Sequence, residues 1–126
     1  MKKVLIVVAD YYEDISSSLL KSARKSLNNF SVKVVKVPGV FEIPVTISKN
    51  INKYDAFIAL GCVIKGETPH FDFISSASTQ AIMNLSVQSK KPIGNGIITC
   101  LNMKQAKARG KKGREAAKAV ISVLSQ

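Results

Sequence analysis

The stretch "KVLIVVA" (Lys3–Ala9) decides the fold. After Lys3 it is apolar throughout and rich in β-branched residues, with no polar position to mark a solvent face. A strand of this kind is buried on both sides, which is the habit of parallel sheets covered by helices. The next segment, "EDISSSLLKSARKSLNNF" (Glu13–Phe30), changes period. Ile15, Leu19, Leu20, Ala23 and Leu27 fall on one side of a helix. Asp14 or a neighbouring serine is placed to cap it, and Asn28 or Asn29 to end it. "SVKVVKV" (Ser31–Val37) then reads as a second strand.

Further along, "PGVFEIP" (Pro38–Pro44) is a proline-bounded break expected to be extended, and "VTISKNINK" (Val45–Lys53) is a short helix. "YDAFIALG" (Tyr54–Gly61) is a third strand, and "FDFISSASTQAIMNLSVQS" (Phe71–Ser89) a long helix with Ile74, Ala77, Ala81, Ile82 and Leu85 on one face. "PIGNGIIT" (Pro92–Thr99) is a fourth strand. The remainder reads as helix broken at Gly110 or Gly113. Alternation of strand and helix calls for a three-layer α/β domain, a four-stranded parallel sheet with helices on both faces. Right-handed crossovers give it the flavodoxin-like strand order 2-1-3-4.

The 126 residues suit a single domain spanning 1–126. "MKKVLIVVADYYEDI" (Met1–Ile15) is read as a first strand rather than a secretory leader, because its apolar run is short and ends in Asp10. No segment offers the roughly 20 apolar residues of a membrane helix. Two cysteines, Cys62 and Cys100, make no disulfide framework and suit a reducing compartment, the cytoplasm. The net charge of +11 is concentrated in "KQAKARGKKGREAAK" (Lys104–Lys118) and allows nucleic acid, an acidic surface or an anionic small molecule as partner. Against nucleic acid, no aromatic residue interleaves with the basic cluster and no recognition motif is present.

In an open parallel sheet, ligands bind beyond the carboxyl ends of the strands. That rule directs attention to "ADYY" (Ala9–Tyr12), "VPGVFEIP" (Val37–Pro44), "GCVIKGETPH" (Gly61–His70) and the stretch 95–99. Gly66, Glu67 and Thr68 form either an ordinary strand-to-helix turn or a turn aiming N–H groups and a hydroxyl at an anion. His70, the sole histidine, is either a capping residue or a proton-transfer group. Phe41 and Ile43 plug the sheet edge or present an aromatic face to a planar heterocycle. Tyr11 is a second aromatic wall or an exposed turn residue. Cys62 and Cys100 read as small buried side chains rather than nucleophiles. Arg109 can grip a phosphate through two parallel hydrogen bonds, although most of its cluster is a solvated helix face. The cysteines and the histidine lack the spacing of a zinc site.

Taken in order, "VPGVFEIP", "ALGCVIKGETPHFDFI" (Ala59–Ile74) and "IIT" (Ile97–Thr99) followed by "QAKAR" and "KKGREAA" resemble the lumazine synthase family over nearly the whole chain. The resemblance implies condensation of 5-amino-6-(ribitylamino)uracil with 3,4-dihydroxy-2-butanone 4-phosphate to a lumazine, the penultimate step of riboflavin biosynthesis. It implies no metal and no organic cofactor. It also implies a homo-oligomer built from pentamers with sites between subunits, compatible with an association with riboflavin synthase.

By matching motif, Tyr11 and Phe41 would hold the pyrimidine ring. Val40, Glu42, Ile43, Gly61, Cys62, Val63 and Ile64 would surround the uracil edge and ribityl chain, and Asn95 would face a neighbouring site. Glu67 and Thr68 would bind phosphate, together with Arg109 of an adjacent subunit, with Lys112 in support. His70 would transfer protons. A chain of this resemblance that has lost turnover would keep the aromatic contacts and bind lumazine or flavin alone. Three departures from the family's pattern stand out: a short segment after Arg109, Ala108 where an acidic residue is frequent, and Asn95 where an aromatic one is frequent.

Overall fold

The computed structural model covers residues 1–126. Four parallel strands, β1 (Lys3–Ala9), β2 (Ser31–Val37), β3 (Ala56–Ile64) and β4 (Ile93–Cys100), lie in the order β2-β1-β3-β4. Five helices connect and cover them: α1 (Glu13–Arg24), α2 (Ile43–Lys49), α3 (His70–Ser89), α4 (Met103–Lys107) and α5 (Lys112–Leu124). The expected fold class and strand order are those observed. No helix is long and apolar enough to cross a membrane.

The alternation of side chains along a strand sorts the core into two layers. Val4, Ile6 and Val8 of β1 join Ile58 and Leu60 of β3 against Ile15 and Leu19 of α1 and Ala117 and Val120 of α5. On the opposite face, Leu5, Val7, Phe57 and Ala59 meet Ile43 and Ile47 of α2 and Ile82 of α3. Val4 to Val8 are all essentially inaccessible. Each contributes about 1.5–3 kcal/mol relative to an exposed side chain, which is why this run could only be a central strand.

Several boundaries differ from expectation. β3 does not stop at Gly61: Cys62, Val63 and Ile64 continue the ladder opposite Ile98, Thr99 and Cys100. The loop that follows is therefore 65–69, and the Lys65 N–H ties it to the Cys100 carbonyl at 2.9 Å. The segment 38–44 is not extended. A 3-10 turn (Val40–Glu42) leads into α2, which takes Pro44 into its first turn. A proline there removes an N–H that has no helical partner, so the helix begins earlier than the prolines suggest.

α1 ends at Arg24 rather than Asn28, although Leu27 stays buried beyond its end. No side chain caps its start, because Tyr12 occupies the cap position and its phenol cannot reach the first N–H groups; Asp14 and Ser16 lie inside the helix, and the Ser16 hydroxyl donates to the Ala9 carbonyl at the end of β1. On α3 the buried positions are Ser78 and Ile82, with Ala77 exposed. The C-terminal break surrounds Gly110, while Gly113 lies inside α5.

Candidate active site

The carboxyl edge of the sheet carries a groove of about 580 Å³. Four separate segments build it. Tyr11 and Tyr12 follow β1; Val40, Phe41 and Glu42 come from the 3-10 turn; Cys62, Val63 and Ile64 end β3; His70 and Ile74 begin α3. Tyr11 and Phe41 stand at the rim, both largely exposed, with Val40, Cys62 and Val63 buried behind them. The Tyr11 and Tyr12 rings meet edge to face with centroids 4.9 Å apart. An apolar groove with exposed rings at its mouth and a few polar groups is suited to a flat heterocycle bearing polar substituents.

Beneath the groove, Gly61 allows a close approach. A methyl group placed there would come within 2.8 Å of Val40 Cγ2 and 3.2 Å of Ala9 Cβ. Ile43 is fully buried under the same turn. Gly61 and Ile43 therefore support the groove rather than line it. The helical backbone at 43 turns the Ile43 side chain into the core, so any contact that Ile43 or Gly61 makes with a ligand is through the backbone.

The loop 65–69 leads to the groove at the N-terminus of α3. Glu67, Thr68 and His70 are exposed, and the Thr68 hydroxyl accepts from the His70 N–H at 3.4 Å. This end of α3 carries the positive pole of a helix of 20 residues. Glu67 and Thr68 lie beside the groove in the chain and are not among its lining residues.

Arg109, Lys112 and Asn95 are elsewhere. They line a second cavity of about 740 Å³ along the edge strand β4, with Thr79, Ile97, Thr99, Lys111 and Glu115. Asn102 and Gln105 fix the entry to α4: Gln105 N–H donates to Asn102 Oδ1 at 2.9 Å, and Leu101 N–H to Gln105 Oε1 at 2.8 Å. Arg109 follows this helix and folds back so that Nη1 donates to the Thr99 carbonyl at 3.2 Å. It also donates to Cys100 Sγ at 3.8 Å. The Asn95 side chain accepts from Ile97 N–H at 3.0 Å. Within one chain, the aromatic groove and the guanidinium thus belong to different cavities.

Both cysteines are free and buried, as expected. Burial, and then the Cys100 thiol beside it, pushes the Cys62 thiol up to about 12. It stays protonated near neutrality and is no nucleophile. Burial, followed by the neighbouring Tyr11 and Cys62, also raises the Tyr12 phenol. No cluster of three or more His, Cys, Asp or Glu side chains that could hold a metal is assembled. Of the lining residues, the sequence reading did not single out Ile74, Thr79 or Glu115 for the site; Tyr12 fell within a flagged strand end and Lys111 within the basic cluster, neither with a role assigned. Glu115 looks like any charged helix residue.

Comparison with known proteins places this chain in a family. The family model described as 6,7-dimethyl-8-ribityllumazine synthase matches residues 1–126. A 6,7-dimethyl-8-ribityllumazine synthase of Methylorubrum extorquens is 43% identical over 137 aligned positions, covering 98% of this chain and 79% of the relative. One from Nitrobacter hamburgensis is 43% identical, with 97% and 83% covered, and one from Bartonella tribocorum is 43% identical, with 97% and 87% covered. The chain belongs to the 6,7-dimethyl-8-ribityllumazine synthase family.

Proposed function

We propose that this chain condenses 5-amino-6-(D-ribitylamino)uracil with 3,4-dihydroxy-2-butanone 4-phosphate, giving 6,7-dimethyl-8-ribityllumazine, phosphate and water. The observation that carries the proposal at the level of this molecule is the convergence of four distant segments on one groove. Tyr11, the turn 40–42, the end of β3 and His70 are the positions to which the resemblance assigns the site, and they meet where an α/β sheet binds ligands.

The chemistry follows from what these groups can do. Tyr11 and Phe41 hold the pyrimidine, with the Tyr11 ring stacking on it. Backbone groups of Val40, Ile43, Gly61, Cys62, Val63 and Ile64 hold the uracil edge and ribityl chain, and the Glu42 carboxylate accepts from ribityl hydroxyls. The 5-amino group attacks the ketone and a first water leaves to form an imine; phosphate is then eliminated to an enol that tautomerises to a carbonyl, and the ribitylamino nitrogen closes the ring on that carbonyl as a second water leaves. Each stage moves protons, a task for His70 at the groove mouth. Thr68, the backbone at Glu67 and the positive end of α3 take the phosphate, whose departure leaves charge for a cation to stabilise. Holding two substrates in register supplies much of the rest.

Arg109, supported by Lys112, is that cation, and it comes from an adjacent copy along with Asn95. Two features favour a shared site. The aromatic groove and Arg109 occupy separate cavities of one chain. α3 is covered poorly within the chain: Phe73, Met83 and Val87 are each at least 60% exposed, an apolar surface that suggests a partner. A ring of five copies is the assembly implied by the family, and the two free cysteines suit the cytoplasm.

The test is direct. Purified protein mixed with both substrates should yield lumazine absorbance and fluorescence with stoichiometric phosphate, above the uncatalysed rate. Saturable binding of lumazine without turnover would instead identify a binding protein.

A further inference from the structure

We infer that Tyr12 is a positioning residue for the reaction proposed above, on which this inference rests: its ring sets the orientation in which Tyr11 meets the pyrimidine. Tyr11 is 75% exposed and has no hydrogen-bond partner within the chain that would fix its ring. Its aromatic contact is with Tyr12, at 4.9 Å between centroids and 81° between planes. That arrangement sets one ring's edge against the other's face, the favoured geometry of an aromatic pair.

Tyr12 can act as a fixed support because its own position is determined from two sides. Its ring packs against the core layer formed by β1, β3, α1 and α5, and it shares the groove wall with Cys62. Its carbonyl accepts from the Ser16 N–H at 2.9 Å as the first turn of α1 begins. The Ser16 hydroxyl ties that turn to the Ala9 carbonyl. The backbone from 9 to 16 is held by these bonds and does not depend on the Tyr12 side chain, so a change to the ring alters what it touches without moving the turn.

Without the support, Tyr11 is free to sample the three staggered rotamers about its first side-chain bond. If only one is competent, the competent fraction falls to about one third, and the apparent dissociation constant of the pyrimidine rises at least about threefold. Loss of the edge-to-face contact extends the range to roughly tenfold. The effect should appear in binding of the diaminouracil and not in the proton transfers, which His70 performs.

The experiment is steady-state kinetics with each substrate varied in turn, for the unmodified protein, Tyr12→Leu, Tyr12→Phe, Tyr11→Ala and Tyr11→Ala/Tyr12→Leu. The expected result is a KM for the diaminouracil raised about three- to tenfold in Tyr12→Leu, with kcat within about twofold and the KM for the butanone phosphate unchanged. Tyr12→Phe restores the KM, because the ring and not the hydroxyl is needed. Tyr12→Leu adds nothing to Tyr11→Ala, because the support has nothing left to hold. Unchanged KM in Tyr12→Leu, or effects that multiply in the double variant, would overturn the inference while leaving the reaction intact. Absence of turnover in the unmodified protein would overturn the reaction itself. If Tyr12→Leu loses its cooperative thermal transition, Tyr12→Met takes its place in the series.

Discussion

The two cavities at the carboxyl edge of the sheet are opposites. The groove between β1, β3 and α3 is apolar and aromatic, and its single histidine stands at the mouth. The cavity along β4 is lined by Arg109, Lys111 and Lys112 with one carboxylate, Glu115, and has no aromatic wall. The first can grip a planar ring but has no fixed cation. The second has the cations and nothing for a ring to stack on. A reaction that joins a heterocycle to a phosphorylated ketone needs both kinds of surface, and the difference is the observation on which the proposed two-chain site rests.

The largest effects should come from breaking either half. Arg109→Ala should lower kcat/KM by about 10²–10³-fold, the usual cost of removing one preorganised donor from a developing anion. His70→Ala should lower kcat by about 10²-fold or more. Circular dichroism should be unchanged in both, since both side chains are exposed. The two defects should differ in kind: raised phosphate-substrate KM accompanies the first, and an altered pH profile the second. Full activity in either variant would remove that residue from the account.

A smaller effect separates the scaffolds. At Gly94 an added methyl would overlap the Ala116 carbonyl of α5, a backbone atom that cannot rotate away. Gly94→Ala should therefore cost about 1–3 kcal/mol of stability and loosen the β4 cavity. At Gly61 the nearest atom is Val40 Cγ2 at 2.8 Å, which a side-chain rotation can move, and the fixed Ala9 Cβ at 3.2 Å must give by only a few tenths of an ångström, so Gly61→Ala should cost less and act on the ring-binding groove. Denaturant midpoints give the order; a reversed order would contradict the packing described for the two edges.

The smallest effect concerns alkaline pH. Cys62 has a folded pKa raised from 9.0 to about 12. Below pH 9 both folded and unfolded thiols are protonated, so its full contribution to stability is present. As pH rises from about 9 toward 12 the unfolded state ionises first, and that contribution is lost. Thermal unfolding between pH 8 and 11 should show a steeper alkaline decline for the native chain than for Cys62→Ala. Parallel curves would show that the thiol is not held neutral.

Much of the scaffold was legible because the central strands are buried on both faces, which leaves an unbroken apolar run with few alternatives. Boundaries were harder. Leu27 continues the apolar pattern of α1 although the helix has ended, and Pro44 suggests a break where it in fact opens α2. The last residues of β3 were read as loop because Gly61 resembles a terminator, whereas it is there to let the 3-10 turn pack closely.

At the groove, the motif segments were found by type and order, Tyr12 among them as part of the strand end 9–12, but its packing against Tyr11 was not legible, since a tyrosine in a turn carries no periodic signal. The separation of Arg109 from His70 could not be read from spacing at all. It depends on which side of β4 the α4–α5 connection falls, and that is decided by packing.

The claim that each site is built from two chains has one decisive measurement. His70→Ala and Arg109→Ala chains, each nearly inactive alone, are co-expressed and purified as mixed assemblies, and lumazine formation is measured. In a head-to-tail ring with random mixing, about a quarter of the interfaces join an intact groove to an intact Arg109, so turnover should recover toward a quarter of the unmodified level. A mixture no more active than its separate components would contradict the shared site.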